Sequence, residues 1–127
     1  MITIKCITKR DKYFYGIIGP YLADRSIAKE IGYHIYDDPK QLWFFAYVNN
    51  EFAGFVTLES NNCKVDYVLP KFRNMGVHFA LAKERLKYCH GKVRITCNNI
   101  SKKNMLKLGF REIRKTTNWT WLELYKE

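Results

Sequence analysis

Ten consecutive residues hold the pattern best suited to chemistry: Val68-Leu69-Pro70-Lys71-Phe72-Arg73-Asn74-Met75-Gly76-Val77. An extended segment stops at a proline, turns through a short basic bend and opens a helix around a glycine. The first amides of a helix have no intrahelical partner, and the helix dipole favours negative charge beside them. Arg73 adds a permanent cation, and Gly76 removes the side chain that would hold a phosphate at a distance. This junction suits the grip of a pyrophosphate by main-chain N–H groups.

The other reactive side chains argue against several chemistries. Cys6, Cys63, Cys89 and Cys97 never fall into a C-x-x-C spacing, so they read as reduced thiols of a cytoplasmic protein, with no metal site. No Ser/His/Asp order with a nucleophile-elbow glycine pattern occurs, which argues against a hydrolase triad. His34 has no evident partner, and His90 beside Gly91 reads as a residue at a helix end. The aromatic group Trp43, Phe44, Phe45 and Tyr47 reads as core, as do Trp119 and Trp121, which share one face of a strand. Tyr33 and Tyr36 precede the Asp37-Asp38 turn and are read as lying outside any substrate opening.

Positioning these groups takes a mixed fold. Residues 2–8 alternate apolar and polar and predict a first strand. Residues 12–18 and 22–32 predict two helices, broken near Gly19-Pro20 and ended near Gly32. An aromatic strand over 42–48 turns at Asn49-Asn50 and returns over 52–59; Ser60-Asn61-Asn62 then turns into a strand over 64–69 that ends at the cradle. A helix over 76–89 carries an apolar stripe of Phe79, Ala82, Leu86 and Cys89, with Lys83, Glu84 and Lys87 outside. The next strand, 92–97, follows a helix and so pairs parallel to 64–69. Asn98 caps a helix through Leu108 that Gly109 closes, and strands over 110–115 and 119–125 flank a Thr116-Thr117-Asn118 turn. The result is one α/β domain over residues 1–127, with a seven-stranded, mostly antiparallel sheet and four helices. The final strand reads as a long exposed edge open to a second copy.

That order, with its motifs, resembles the GCN5-related N-acetyltransferase (GNAT) family over essentially the whole chain. The family's phosphate signature, V-x-P then R/Q-x-x-G-x-G/A, stands here as Val68-Leu69-Pro70 and Arg73-Asn74-Met75-Gly76-Val77-His78. Its second signature, N-x-x-A/S then a tyrosine then G-F, stands as Asn98-Asn99-Ile100-Ser101, Met105 and Gly109-Phe110. The resemblance implies a splay between the fourth and fifth strands. It also implies a site for acetyl-coenzyme A, or another acyl-coenzyme A, whose pyrophosphate is wrapped by residues 72–78. The pantetheine arm would then pair with the Val68 strand and touch Asn98 and Ser101. The implied chemistry is direct transfer of an acyl group from the thioester to an amine, with the acceptor held by the first two helices and the final hairpin.

Two departures bear on that implication. His78 puts bulk at the third, usually small, position of the cradle, and Met105 stands where many members carry a proton-donating tyrosine. Methionine has no proton to give: either Ser101, on one helical face with Met105 and Leu108, another donor or water supplies it, or the chemistry is slow or absent. An attacking amine must be neutral, and Asp66, in step with Val68 on the fourth strand, is a carboxylate placed to help directly or through water. It reads equally as an exposed strand residue or an ion-pair partner, and Glu59, closing the third strand, is a weaker alternative read as a turn residue.

The net charge of +10 is uneven: residues 1–62 hold seven Lys/Arg against seven Asp/Glu, and residues 63–127 hold fifteen against five. An anionic partner for the second half follows, whether a phosphorylated cofactor, an acidic protein or nucleic acid. Alternatives to the transferase are therefore a nucleic-acid modifier or binder, similar to the phage Mom-type DNA modification proteins, and a non-catalytic acyl-coenzyme A-binding protein. No apolar run approaches the roughly 20 residues of a membrane-spanning helix.

Overall fold

The second strand shows why the sheet must be covered twice. Its residues Leu42–Val48 are aromatic or aliphatic without alternation, as expected of a strand buried on both faces. Trp43 and Phe45 pack on one side with Phe14, Ile18, Ile27 and Ile31 of two helices. Phe44 and Ala46 pack on the other side with Val77, Leu81 and Met105 of two more. The computed structural model describes residues 1–127, the side chain of Ile100 excepted.

The elements run β1 (Ile2–Ile7), α1 (Phe14–Leu22), α2 (Arg25–Ile31), β2 (Leu42–Val48), β3 (Glu51–Glu59), β4 (Asn62–Val68), a 3-10 turn (Pro70–Phe72), α3 (Val77–Leu86), β5 (Gly91–Cys97), α4 (Asn99–Lys107), β6 (Arg111–Lys115) and β7 (Thr120–Lys126). The seven strands form one sheet in the order β1-β2-β3-β4-β5-β7-β6. Only β4 and β5 are parallel, joined by the α3 crossover. Asn49 and Asn50 both take positive φ and close the β2–β3 hairpin. Asp24 caps α2 by accepting from the amides of Ser26 and Ile27, and Gly32 ends it at φ 103.

Three expectations need correction. α1 continues through Gly19-Pro20 to Leu22; Gly19 offers no Cβ for the proline ring to strike, so the helix survives the missing donor for a few more residues. The final strand is not an edge: β7 lies between β5 and β6, and the edges are β1 and β6. The buried stripe of α3 is Val77, Leu81, Ala82 and Arg85, with Phe79 and Leu86 only half-buried. The predicted stripe is rotated because a charged residue was excluded from the core.

Between Val56 and Leu58 the β3–β4 register slips, so that two steps of β3 pass three of β4. This bulge turns Val65 and Tyr67 toward α1 and α2, whereas Cys63 and Val68 face α3 and α4. Upstream of the cradle the two strands lie very close. A Cβ on Gly54 would stand 2.5 Å from the Tyr67 carbonyl oxygen and 2.9 Å from the Val68 Cα. Gly54→Ala is therefore expected to destabilise the fold by about 1–3 kcal/mol, read as a lower denaturation midpoint. An unchanged midpoint would mean that β3 and β4 are free to part.

Candidate active site

The pairing of β4 with β5 stops almost where it begins. Asn62 lies opposite Arg94 and Cys63 opposite Ile95, with the Arg94 amide bonded to the Asn61 carbonyl at 3.0 Å. Beyond these two pairs the strands part. The gap is a cleft of about 790 Å³ lined from both faces of the sheet, by Tyr33 of the α2 end, by Asp66 and Val68 of β4, and by Ser101 and Asn104 of α4. That volume is in the range of small-molecule sites, roughly 300–1,000 Å³.

At the mouth of the cleft stands the glycine junction. Asn74 (φ 63) and Gly76 (φ 83) both take left-handed conformations, curling the chain tightly ahead of α3. No side chain caps the N-terminus of α3. A Cβ on Gly76 would meet nothing within 4 Å, so the backbone there is bare. Arg73 is held from three directions: its Nε donates to the Val68 carbonyl at 2.9 Å, its Nη2 lies 2.7 Å from Glu30 Oε2, and its guanidinium rests over the Tyr67 ring at 5.5 Å. Lys103 and Lys107 of α4 line the same cleft.

A polar network forms the floor. Arg85, fully buried, gives Nη1 to Asp66 Oδ1 at 2.6 Å and Nη2 to Asp66 Oδ2 at 3.1 Å. Nη1 also reaches the carbonyl of Thr57, inside the bulge, at 3.2 Å. His78 Nε2 lies 2.6 Å from Asp66 Oδ2, and its Nδ1 lies 2.9 Å from Asn104 Nδ2. The network is satisfied with Nε2–H donated to the carboxylate and Nδ1 accepting from the amide. Burial works against the Asp66 charge, but the Arg85 guanidinium and His78 outweigh it and hold the carboxyl well below the usual carboxylate range.

Of the residues singled out in the sequence, Asp66, Val68, Phe72, Arg73, Asn74, Gly76, Val77, His78, Asn98 and Ser101 line this one cleft. Met75 is exposed and does not. Of the readings of Asp66, the ion-pair partner is the one the geometry meets: both oxygens are engaged by Arg85 and His78. Met105 is fully buried, its sulfur 4.0 Å from Arg85 Nη2, so it faces the core. The face of α4 that meets the cleft runs through Ser101 and Asn104, which are three apart. That spacing was the available signal for Asn104. Arg85 had a signal too, in the Val77, Leu81, Arg85 repeat of four. Asn98 caps α4 by accepting from the Ser101 amide at 3.3 Å.

Burial disfavours the thiolate form at all four cysteines. Cys97 lines the cleft, but burial, with the nearby Asp66 charge, pushes its thiol up to about 11. Among the described residues no group of His, Cys, Asp and Glu is arranged to hold a metal, and no helix is long and apolar enough to cross a membrane.

A second cleft, of about 900 Å³, meets the first at Tyr33, Lys64, Ile95, Thr96 and Trp119. Tyr36, Glu59 and Trp121 line it as well. Tyr33 and Tyr36 thus stand at an opening rather than outside one. Trp119 and Trp121, expected in the core, are only half-buried. Glu59 is half-buried at the end of β3 rather than in a turn. Tyr33 donates its hydroxyl to the Lys64 carbonyl, and burial, with the Asp66 charge, pushes its phenol up to about 12.

No protein-family model matches the sequence, and no curated protein does. Solved structures match it throughout. Escherichia coli ElaA is 13% identical over 97% of this chain and 99% of its own, with a TM-score of 0.70. Arabidopsis thaliana NAA60, in complex with a bisubstrate analogue, is 14% identical over the whole of both chains, also at 0.70. A GNAT family acetyltransferase from Elizabethkingia anophelis, with acetyl-CoA bound, is 20% identical over 98% of each chain at 0.63. This chain has the GNAT fold.

Removing the Asp66 charge leaves Arg85 buried without a counter-ion. Asp66→Asn should lower stability by about 3–5 kcal/mol at neutral pH. The folded carboxyl is depressed, so its contribution is complete above the unfolded value of about 3.9 and fades as pH falls through the lower folded value. Denaturant midpoints of the wild type should therefore decline below about pH 4, and this component of the decline should be missing from Asp66→Asn. A variant as stable as the parent would remove the network from the structural account.

Proposed function

We infer that the protein is an acyl-coenzyme A-dependent N-acyltransferase acting on a primary amine. One observation carries the reading: β4 and β5 separate after two residue pairs, and the cleft so opened runs from an uncapped helix N-terminus to a second cavity. The residues fit a diphosphate carrier. The bare backbone at Gly76, the left-handed Asn74 and the α3 amides suit the diphosphate, and Lys103, Lys107 and Arg73 supply cations along the way. Arg73, now paired with Glu30 and with the Val68 carbonyl, would hold a phosphate in their place, and the Val68 carbonyl so released would be available to the pantetheine arm. Acetyl-CoA bound to a protein of the same fold supports the choice of carrier.

When bound, the carrier supplies an activated acyl carbon. The chain's residues place an amine against it and manage protons. The acyl carbon exchanges sulfur for nitrogen; the amine gives up one proton and the leaving sulfur takes one, so the exchange is balanced. Ser101, half-buried on α4, supplies a hydroxyl to that sulfur. Asp66 acts as a positioning residue through His78, fixing Nε2–H and leaving Nδ1 as the basic atom once Asn104 yields it. Met105 points into the core and touches neither the sulfur nor the amine.

The test is binding. Arg73→Ala combined with Gly76→Glu puts a carboxylate where the diphosphate sits and removes its cation. Calorimetry should show coenzyme A affinity lost, with circular dichroism preserved. Retained affinity in the folded variant would refute the cradle.

A further inference from the structure

The two cavities differ in charge. Four cations and two carboxylates line the first, whereas the second has three carboxylates, Asp38, Glu59 and Glu123, against Lys64 and Arg94. In a chain of net charge +10 such an acidic concentration is unusual. Glu123 is neutralised by Arg94 at 3.1 Å, and Asp38 accepts from the Lys40 amide at 2.8 Å. Glu59 is half-buried and has no ion-pair or hydrogen-bond partner among the described residues.

A second observation stands beside it. Gln41, only 7% exposed, lines this cavity, and its Oε1 has no hydrogen-bond partner among the described residues. A buried carbonyl without a donor costs stability unless something supplies one. The β2–β3 register ends with Leu42 opposite Leu58, and Gln41 and Glu59 are the next residues out on the two chains. This part of the cavity therefore offers a free carboxylate and an unsatisfied carbonyl. Both ask for a group that carries N–H donors and positive charge.

The other end has the opposite character. Where the cavities join, Lys64 is exposed at the rim, and Tyr33 and Trp119 face each other with ring centroids 6.2 Å apart. The Lys64 charge disfavours a second cation nearby, so an amine arriving there tends toward its neutral, nucleophilic form. The aromatic walls suit a methylene chain and, further in, an ammonium. Glu59 pairs with Asn62, two residues along β4 from Lys64, so the two ends are about 7 Å apart along the strand. A four- or five-carbon chain spans that distance.

We propose that the second cavity binds a short aliphatic diamine, its far ammonium held by Glu59 and Gln41 and its near amine presented at the Lys64–Tyr33–Trp119 junction. Acylation of the near amine rests on the transferase reading above; the binding site does not. The nitrogen–carbon bond forms as the carbon–sulfur bond of the thioester breaks, and the proton lost by the amine balances that gained by sulfur.

Calorimetry on the intact chain with diaminobutane, butylamine and a lysine-containing peptide tests the site. Diaminobutane should bind about tenfold tighter than butylamine, the effect of one charge-assisted contact. The ratio should fall toward one in Glu59→Gln. Equal affinity of the wild type for the two amines, or tighter binding of the peptide, overturns the proposal without calling on any variant. Coenzyme A titrated separately keeps the two readings apart. Coenzyme A binding with no diamine preference refutes the diamine site alone. A diamine preference without coenzyme A binding supports the site and removes the transfer.

Discussion

A single buried ion pair organises this molecule. Arg85 projects from α3 into the space under the sheet, and Asp66 meets it from β4 with both oxygens. The bulge before Asp66 makes the meeting possible: it changes which face the strand presents and leaves the Thr57 carbonyl for Arg85. Two charges taken out of water gain little net stability from each other. What they fix is geometry. The pair sets α3 against β4, orients His78, and so holds the start of α3 where its amides open into the cleft.

The sheet was legible because its signals are local. Asparagine pairs and glycines marked the turns, and aromatic runs marked the doubly covered strands. The crossover helix implied the parallel pair. Much of the site was legible for the same reason, since the cradle from Val68 to His78 is continuous in sequence. What stayed hidden depends on contacts between distant segments. Arg85 drew no notice because its partner lies nineteen positions earlier. Met105 was grouped with Ser101 by their spacing of four, whereas one helical position, about 100° of rotation, separates the buried Met105 from Asn104, which lines the cleft. Trp119 and Trp121 are half-buried because both line the second cavity, which alternation within one strand does not reveal.

The two cavities divide the charge of the chain. Lysines of α4 and the helix amides gather on one side, while free carboxylate and unsatisfied carbonyl gather on the other. Tyr33 and Trp119 stand between them and touch both. Gly32 holds this boundary in place: its φ of 103 ends α2, and a Cβ there would stand 2.9 Å from the Trp119 ring. The residue that closes one helix thereby also shapes the passage between two binding spaces.

The short seam between β4 and β5 has a mechanical consequence. Strands β1 to β4 form one antiparallel plate and β5, β7 and β6 another, and only two residue pairs stitch their edges. Twisting one plate against the other barely changes separation at the stitch, while displacement grows with distance from it. Breathing is thus concentrated at the Val68 end, leaving the junction near Asn62 rigid. Accommodation of bulk and retention of register reside at opposite ends of the same gap.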